Sequence, residues 1–340
     1  MSKQVDIAIV GVTGAVGEVM LEILEQRDFP VGTIYPLASA NSAGKRVEFR
    51  GKSLVVRELA DFDFSQVQLA LFCAGETVAA EYAPRAAAAG CVVIDNSARF
   101  RGDASVPLVI PEVNPRAIAG YTAHNIIASP DATTVQLWVA LKPIYDTVGI
   151  ERLNVATYQA VSGSGKAGVQ ELAGQTANLL NAQPLKNRVY DRQIAFNALA
   201  QIEAVEENGY TRGEMNLVRE SHKILASETL AINPTAVRVP VFYGHGMAVH
   251  LETRDKLGAR QARALLEEAP GITLMDEGRE HSYPSAVTDA ANANTVLVGR
   301  IREDISHPRG LDLWIVSDNV RKGAALNSVQ VAEILVKEYL

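Results

Sequence analysis

Val5-Asp6-Ile7-Ala8-Ile9-Val10-Gly11-Val12-Thr13-Gly14-Ala15-Val16-Gly17 is the stretch whose reading decides the fold. Val5 to Val10 is a short apolar run bounded by glycine, the pattern of a buried parallel strand. Val16, Val19, Met20, Ile23 and Leu24 then recur at helical spacing, which predicts a helix over 16–26. Between them lies a tight glycine turn. Such a turn lets the backbone approach phosphates, while the following helix offers unpaired N–H groups and the positive end of its dipole.

In that context Gly11, Thr13, Gly14, Ala15, Val16 and Gly17 are read as a cradle for the pyrophosphate of a nicotinamide dinucleotide. The alternative is a turn of the same kind that only caps a helix. NAD-preferring sites place a carboxylate roughly 20 residues beyond the loop, on the ribose 2′-hydroxyl. Leu37-Ala38-Ser39-Ala40-Asn41-Ser42-Ala43-Gly44-Lys45-Arg46 has none. Ser39, Ser42 and the Lys45-Arg46 pair suit a 2′-phosphate, so NADP is expected, with NAD as the alternative. Lys45 and Arg46 read equally well as solvated surface. Gly75, after an apolar run at Gln68 to Cys73, joins the expected cofactor residues.

Working outward, strands are expected at Thr33 to Ala38, around Val55-Val56, and at Gln68 to Cys73, Cys91 to Asp95 and Asn125 to Ala128. A helix is expected at Ala79 to Ala89. Alternating strands and helices imply a doubly wound parallel sheet. The character changes after about residue 130. Strands are expected at Leu153 to Val161, Ala236 to Phe242, Ala248 to Thr253, Thr295 to Ile301 and Leu311 to Ser317. The second and third of these are read as flanking a Gly244-His245-Gly246 turn. Helices are expected at Lys166 to Asn181, Gly209 to Leu225 with Thr211 as N-cap, Gly258 to Ala269, and Lys322 to Leu340. The fold class is α/β, a Rossmann-type NAD(P)-binding domain plus an α+β substrate and dimerisation domain. The expected boundaries are 1–130 with 319–340 for the first and 131–318 for the second.

The 340 residues are 48% hydrophobic and 21% charged, which allows a large core and gives no indication of disorder. A net charge of −7 argues against a nucleic-acid partner. No apolar run reaches the roughly 20 residues that span a bilayer, and Met1-Ser2-Lys3-Gln4 leads straight into a strand, so neither a membrane segment nor a signal peptide is expected. The 2 cysteines, Cys73 and Cys91, and the 6 scattered histidines show no metal-ligand spacing, so no metal is expected and the setting is read as cytoplasmic.

Leu37-Ala38-Ser39, Val93-Ile94-Asp95-Asn96-Ser97, Pro111-Glu112-Val113-Asn114, Tyr158-Gln159-Ala160-Val161-Ser162-Gly163, Arg238-Val239-Pro240-Val241, Gly299-Arg300-Ile301-Arg302 and Asp318-Asn319-Val320-Arg321-Lys322-Gly323-Ala324-Ala325 occur in that order. They resemble the motifs of the aspartate-semialdehyde dehydrogenase family across nearly the whole chain. The resemblance implies a homodimer that reduces β-aspartyl phosphate with NADPH, or runs the reverse oxidation with phosphate. In that chemistry a thiolate attacks the aldehyde, hydride leaves to the nicotinamide and phosphate cleaves the thioester.

The family carries its nucleophile in an Asn-Cys-(Ser/Thr)-Thr segment. This chain reads Asp131-Ala132-Thr133-Thr134. Ala132 stands at the cysteine position, and a methyl group forms no thioester. By resemblance Gln159 is the active-site glutamine, Arg238 the carboxylate-binding arginine, His245 the acid/base histidine, Arg101 the phosphate-binding arginine and Asn319 a nicotinamide-side contact. Asp131 is read as a partner for His245, and Arg101 with Arg238 as sites for a small anionic ligand. Gly213 and Asn216 replace a substrate-binding glutamate and a lysine, and Asn41 replaces an arginine on the 2′-phosphate. These departures resemble a Usg-type branch of the family. Three functions stay open: a dimeric NADP(H)-binding protein without thioester chemistry, an oxidoreductase using non-cysteine acid/base chemistry on another aldehyde, oxo or hydroxy acid, and a weak aspartate-semialdehyde dehydrogenase.

Overall fold

The computed structural model describes residues 4–340, so the lead-in read at Met1 to Lys3 lies outside the described residues. The chain divides into two units, one running to Asp131 and resuming at Ala324–Leu340, the other Ala132–Gly323.

The first unit starts with β1 (Val5–Val10), α1 (Ala15–Gln26) and β2 (Val31–Ala38). A hairpin of β3 (Arg46–Phe49) and β4 (Lys52–Val55) follows. Then come β5 (Arg57–Glu58), β6 (Leu69–Phe72), α2 (Glu76–Ala88), β7 (Val92–Asp95) and β8 (Ile126–Ala128). The sheet order is β5-β2-β1-β6-β7-β8, and every pairing is parallel. Strands covered on both faces read as unbroken apolar runs, and β6 and β7 are buried at every residue. The order reverses at β1, between β2 and β6. Ligands of such sheets bind outside the carboxyl ends at this reversal.

The second unit opens with α3 (Ala132–Val148), where no helix was expected. Residues 133–141 are all buried, so α3 shows no polar face to betray its period. Next are β9 (Ile150–Gln159), α4 (Gly165–Leu180), α5 (Arg212–Leu225), β10 (Ala231–Arg238), β11 (His245–Thr253), α6 (Ala259–Glu267), β12 (Ile272–Leu274), β13 (Val296–Glu303) and β14 (Gly310–Ser317). Thr211 caps α5 as expected, accepting from the Glu214 N–H, and Glu214 returns the bond to the Thr211 N–H. The sheet order is β10-β9-β11-β14-β13-β12. β10 and β11 share the sheet, but β9 lies between them, so they form no hairpin. α3, α5 and α6 pack together on this sheet.

The chain returns to the first unit with α7 (Leu326–Glu338). It begins later than the expected Lys322, because a π-turn at Arg321–Ala325 comes first. Leu326, Val329, Ala332 and Leu335 enter the core formed by Ile7, Ile9, Met20 and Ile94.

Candidate active site

In the first unit the loop after β1 is shaped by its glycines. Gly11 has φ +84, and a Cβ there would meet the Cys73 backbone at 3.0 Å. A Cβ on Gly17 would lie 2.4 Å from the Gly11 carbonyl oxygen, so only glycine lets α1 start this close to the turn. Gly14 is the N-cap and supplies no side-chain cap to α1. Thr13, Ala15 and Val16 complete the turn at the carboxyl end of β1. This cradle, at the point where the strand order reverses, fits a pyrophosphate.

Past β2 the chain turns back through Ser39 to Gly44, with the Ser42 N–H donating to the Ser39 carbonyl. Ser42 Oγ is 3.4 Å from Thr13 Oγ1 and accepts from Lys45 Nζ at 3.2 Å. Thr13, Ser42 and Lys45 thus meet. Arg46 does not join them, because its Nε donates to Ser53 Oγ in the hairpin. Asn41 is exposed. Gly75 caps α2, and an added Cβ there meets nothing within 4 Å. Its glycine identity is not sterically required.

In the second unit Gln159 and Arg238 are cross-strand partners at the ends of β9 and β10. His245 is the first residue of β11 and not a turn residue; the chain bends at Phe242 and Tyr243, and Gly244 follows at φ +90. His245 and Arg238 are both buried, and both grip the Ala160 peptide. The Ala160 N–H donates to His245 Nδ1 at 3.1 Å, and Arg238 Nη1 donates to the Ala160 carbonyl at 2.7 Å. Because Nδ1 accepts, the neutral imidazole carries its proton on Nε2. Gly163 keeps this corner open: a Cβ there would lie 2.7 Å from Arg238 Nη1 and 3.5 Å from His245 Nε2. Asn319 ties the corner together, since its Oδ1 accepts from the Gly244 N–H at 3.0 Å and its Nδ2 donates to Ser162 Oγ at 2.9 Å.

Ala132 is the first residue of α3. One turn on, Gln136 Nε2 donates to the carbonyls of His245 and Ile315, at 3.0 and 3.1 Å. Ala132 and Gln136 are one turn apart and share a face of α3. A helix N-terminus stabilises a thiolate, but position 132 offers only a methyl group. A Cβ on Gly323 would lie 2.6 Å from that methyl carbon. Burial pushes Cys91 up to about 12, and burial with the nearby Asp95 carboxylate pushes Cys73 up.

Other departures are built into the packing. A Cβ on Gly213 would lie 2.8 Å from Ile202 Cγ2 and 3.0 Å from the Ile202 carbonyl oxygen, leaving no room there for a longer side chain. Asp131, read as a partner of His245, lies 3.4 Å from Arg101 Nη1. Sequence reasoning missed Gln136, Ser162, Gly163 and Gly323. The run Ser162-Gly163-Ser164-Gly165 was readable only as a strand breaker. A cavity of about 740 Å³ in the second unit is lined by Arg263, Tyr283, Arg300 and Trp314 and by none of the expected site residues.

Known proteins match the whole length. Residues 6–121 match the family model described as semialdehyde dehydrogenase, NAD binding domain, and residues 141–322 match semialdehyde dehydrogenase, dimerisation domain. Aspartate-semialdehyde dehydrogenase of Shewanella violacea is 55% identical over 339 residues, covering 100% of both chains. The crystal structure of aspartate semialdehyde dehydrogenase II of Vibrio cholerae, complexed with ASA, superposes with a TM-score of 0.98 at 54% identity and covers 100% of both chains. A probable aspartate-semialdehyde dehydrogenase of Pseudomonas aeruginosa gives a TM-score of 0.95 at 41% identity over 99% of this chain and 100% of that one. The chain belongs to the aspartate-semialdehyde dehydrogenase family.

Proposed function

We propose that this chain is an NADP(H)-binding, homodimeric member of the family that has lost thioester chemistry. The observation that carries the reading is Ala132: the first residue of α3, one turn before the Gln136 that holds the His245 carbonyl, ends in a methyl group. The glycine cradle and the group Thr13, Ser42 and Lys45 support a cofactor with a 2′-phosphate. When bound, the nicotinamide supplies a hydride donor or acceptor. Arg238 supplies a buried guanidinium for a small carboxylate, and Gln159 stands beside it on the neighbouring strand. His245 presents Nε2–H, which suits it to donate to a carbonyl oxygen or a carboxylate. A base acting through Nδ1 would have to break the bond from Ala160. The Gly213–Ile202 packing supports a rebuilt ligand site.

Ordinary aspartate-semialdehyde dehydrogenase activity is favoured by one finding, the 55% identity to proteins of that name. One assay separates the two: NADPH formation from NADP, aspartate semialdehyde and phosphate. The wild type is expected to give no turnover, and Ala132→Cys is expected to give a measurable thiol-dependent signal. Wild-type turnover at about 1 to 1000 per second, the ordinary enzyme range, would overturn the proposal. NADPH fluorescence on binding tests the cofactor reading separately.

The match of residues 141–322 to the dimerisation domain supports the dimer, and the β9–β11–β14 face of the second sheet lies in it. Tyr158 and Trp314 pair on it, with ring centroids 5.7 Å apart.

A further inference from the structure

Arg101 is only 12% exposed in its side chain. Its guanidinium is held by two backbone carbonyls: Nε donates to Ser129 at 3.0 Å and Nη2 to Asn96 at 2.8 Å. Asn96 directly follows β7 and Ser129 directly follows β8, which are neighbouring parallel strands. The guanidinium is therefore fixed at the carboxyl edge of the sheet, where doubly wound sheets bind ligands. Carbonyls orient a guanidinium without neutralising it, and a group held this way is a receptor for planar or tetrahedral oxyanions.

Here the charge is met from within the chain. Arg101 Nη1 lies 3.4 Å from the Asp131 carboxylate, itself 39% exposed. The backbone that delivers Asp131 is anchored just before it. The Ser129 N–H donates to the Asp95 carbonyl at 2.8 Å, and Ser129 Oγ accepts from Asn327 Nδ2 at 3.0 Å.

We propose that Asp131 is a specificity-determining residue that keeps inorganic oxyanions off Arg101. Its carboxylate is a tethered counter-anion. A phosphate arriving at the guanidinium must displace it and then remain beside a fixed negative charge, whereas an asparagine of the same shape would offer a donor. The inference rests on the loss of phosphate-dependent chemistry proposed above. It adds that the loss is set twice, once at Ala132 and independently at Asp131.

The test is binding of inorganic phosphate by titration calorimetry at constant ionic strength, on the wild type, Asp131→Asn, Asp131→Asn with Arg101→Met, and Asp61→Asn. The last removes an exposed carboxylate elsewhere, as a charge control. Removing the tethered charge is expected to tighten phosphate binding about tenfold or more. The gain is expected to vanish in the double variant and to be absent in Asp61→Asn. Equal affinity in the wild type and Asp131→Asn would overturn the proposal, as would a gain that survives Arg101→Met or is matched by Asp61→Asn. Should Asp131→Asn fold poorly, Asp131→Ser carries the same test. NADPH binding by the wild type is read in parallel, so failure of the cofactor reading is distinguishable from failure at Asp131.

Discussion

Burial pushes the Cys91 thiol up to about 12, and desolvation together with Asp95 pushes Cys73 upward as well. A raised thiol pKa means that the thiolate appears only at higher pH. At pH 8 a group at about 12 is ionised to about one part in ten thousand. In the native protein, carboxamidomethylation by iodoacetamide at pH 8 is therefore expected to be at least about 100-fold slower than that of free cysteine at both positions. Unfolding in guanidinium should expose both to rapid labelling. Fast native labelling of either, read by mass spectrometry, would reopen the search for a nucleophile. At this scale the sequence was legible where the chemistry is local: Gly11 and Gly17 are glycines because of atoms in their own loop and the strand beside it. The Arg101–Asp131 pair was not legible, because it depends on β7 and β8 lying side by side and joins residues 30 apart.

Among the elements, α5 has the best-defined start. The Thr211 hydroxyl and the Glu214 carboxylate satisfy each other's backbone N–H groups, and Glu214 also accepts from the Ala236 N–H of β10 at 2.8 Å. Thr211→Ala is expected to cost about 1 kcal/mol of stability. Glu214→Ala should cost more, about 2–3 kcal/mol, because it leaves a buried strand N–H without its acceptor as well as undoing the cap. Urea denaturation compares the two, and the reverse ranking would contradict this account. Thr211 was readable as a cap because capping is a matter of a few neighbouring residues. The neighbouring α3 was not, for the opposite reason. Ala132–Val148 carries Thr, Val and Pro143 and buries nearly every side of its first half, so helical period and propensity both disappear from the sequence. The strand order around β9 was equally hidden, since cross-strand partners there are set by distant chain segments.

For the molecule as a whole, the alternation of strands and helices carried the doubly wound sheet, and no helix among the described residues is long and apolar enough to cross a membrane. The face of the second sheet that carries Tyr158 is where a second copy is expected. Trp314 on β14 meets Tyr158 on β9 there, with Ala248 and His250 on the strand between them. Trp314→Arg places a charge in the proposed interface. It is expected to shift the protein from dimer to monomer in sedimentation velocity at micromolar concentration. A Trp314→Arg variant that sediments as the wild type does would move the interface elsewhere.

The return of α7 also bears on how the chain comes off the ribosome. The first unit is begun early, yet Leu326, Val329, Ala332 and Leu335 of its core are translated only after the whole second unit. At about 5–20 residues per second, synthesis of the intervening second unit lasts roughly 10–40 s. Throughout that interval the nascent first unit lacks one wall, and its apolar interior must be shielded by other means. The cofactor cradle therefore gains its full support only after the second unit has been made, so α7 also sets the time at which the protein becomes competent to bind.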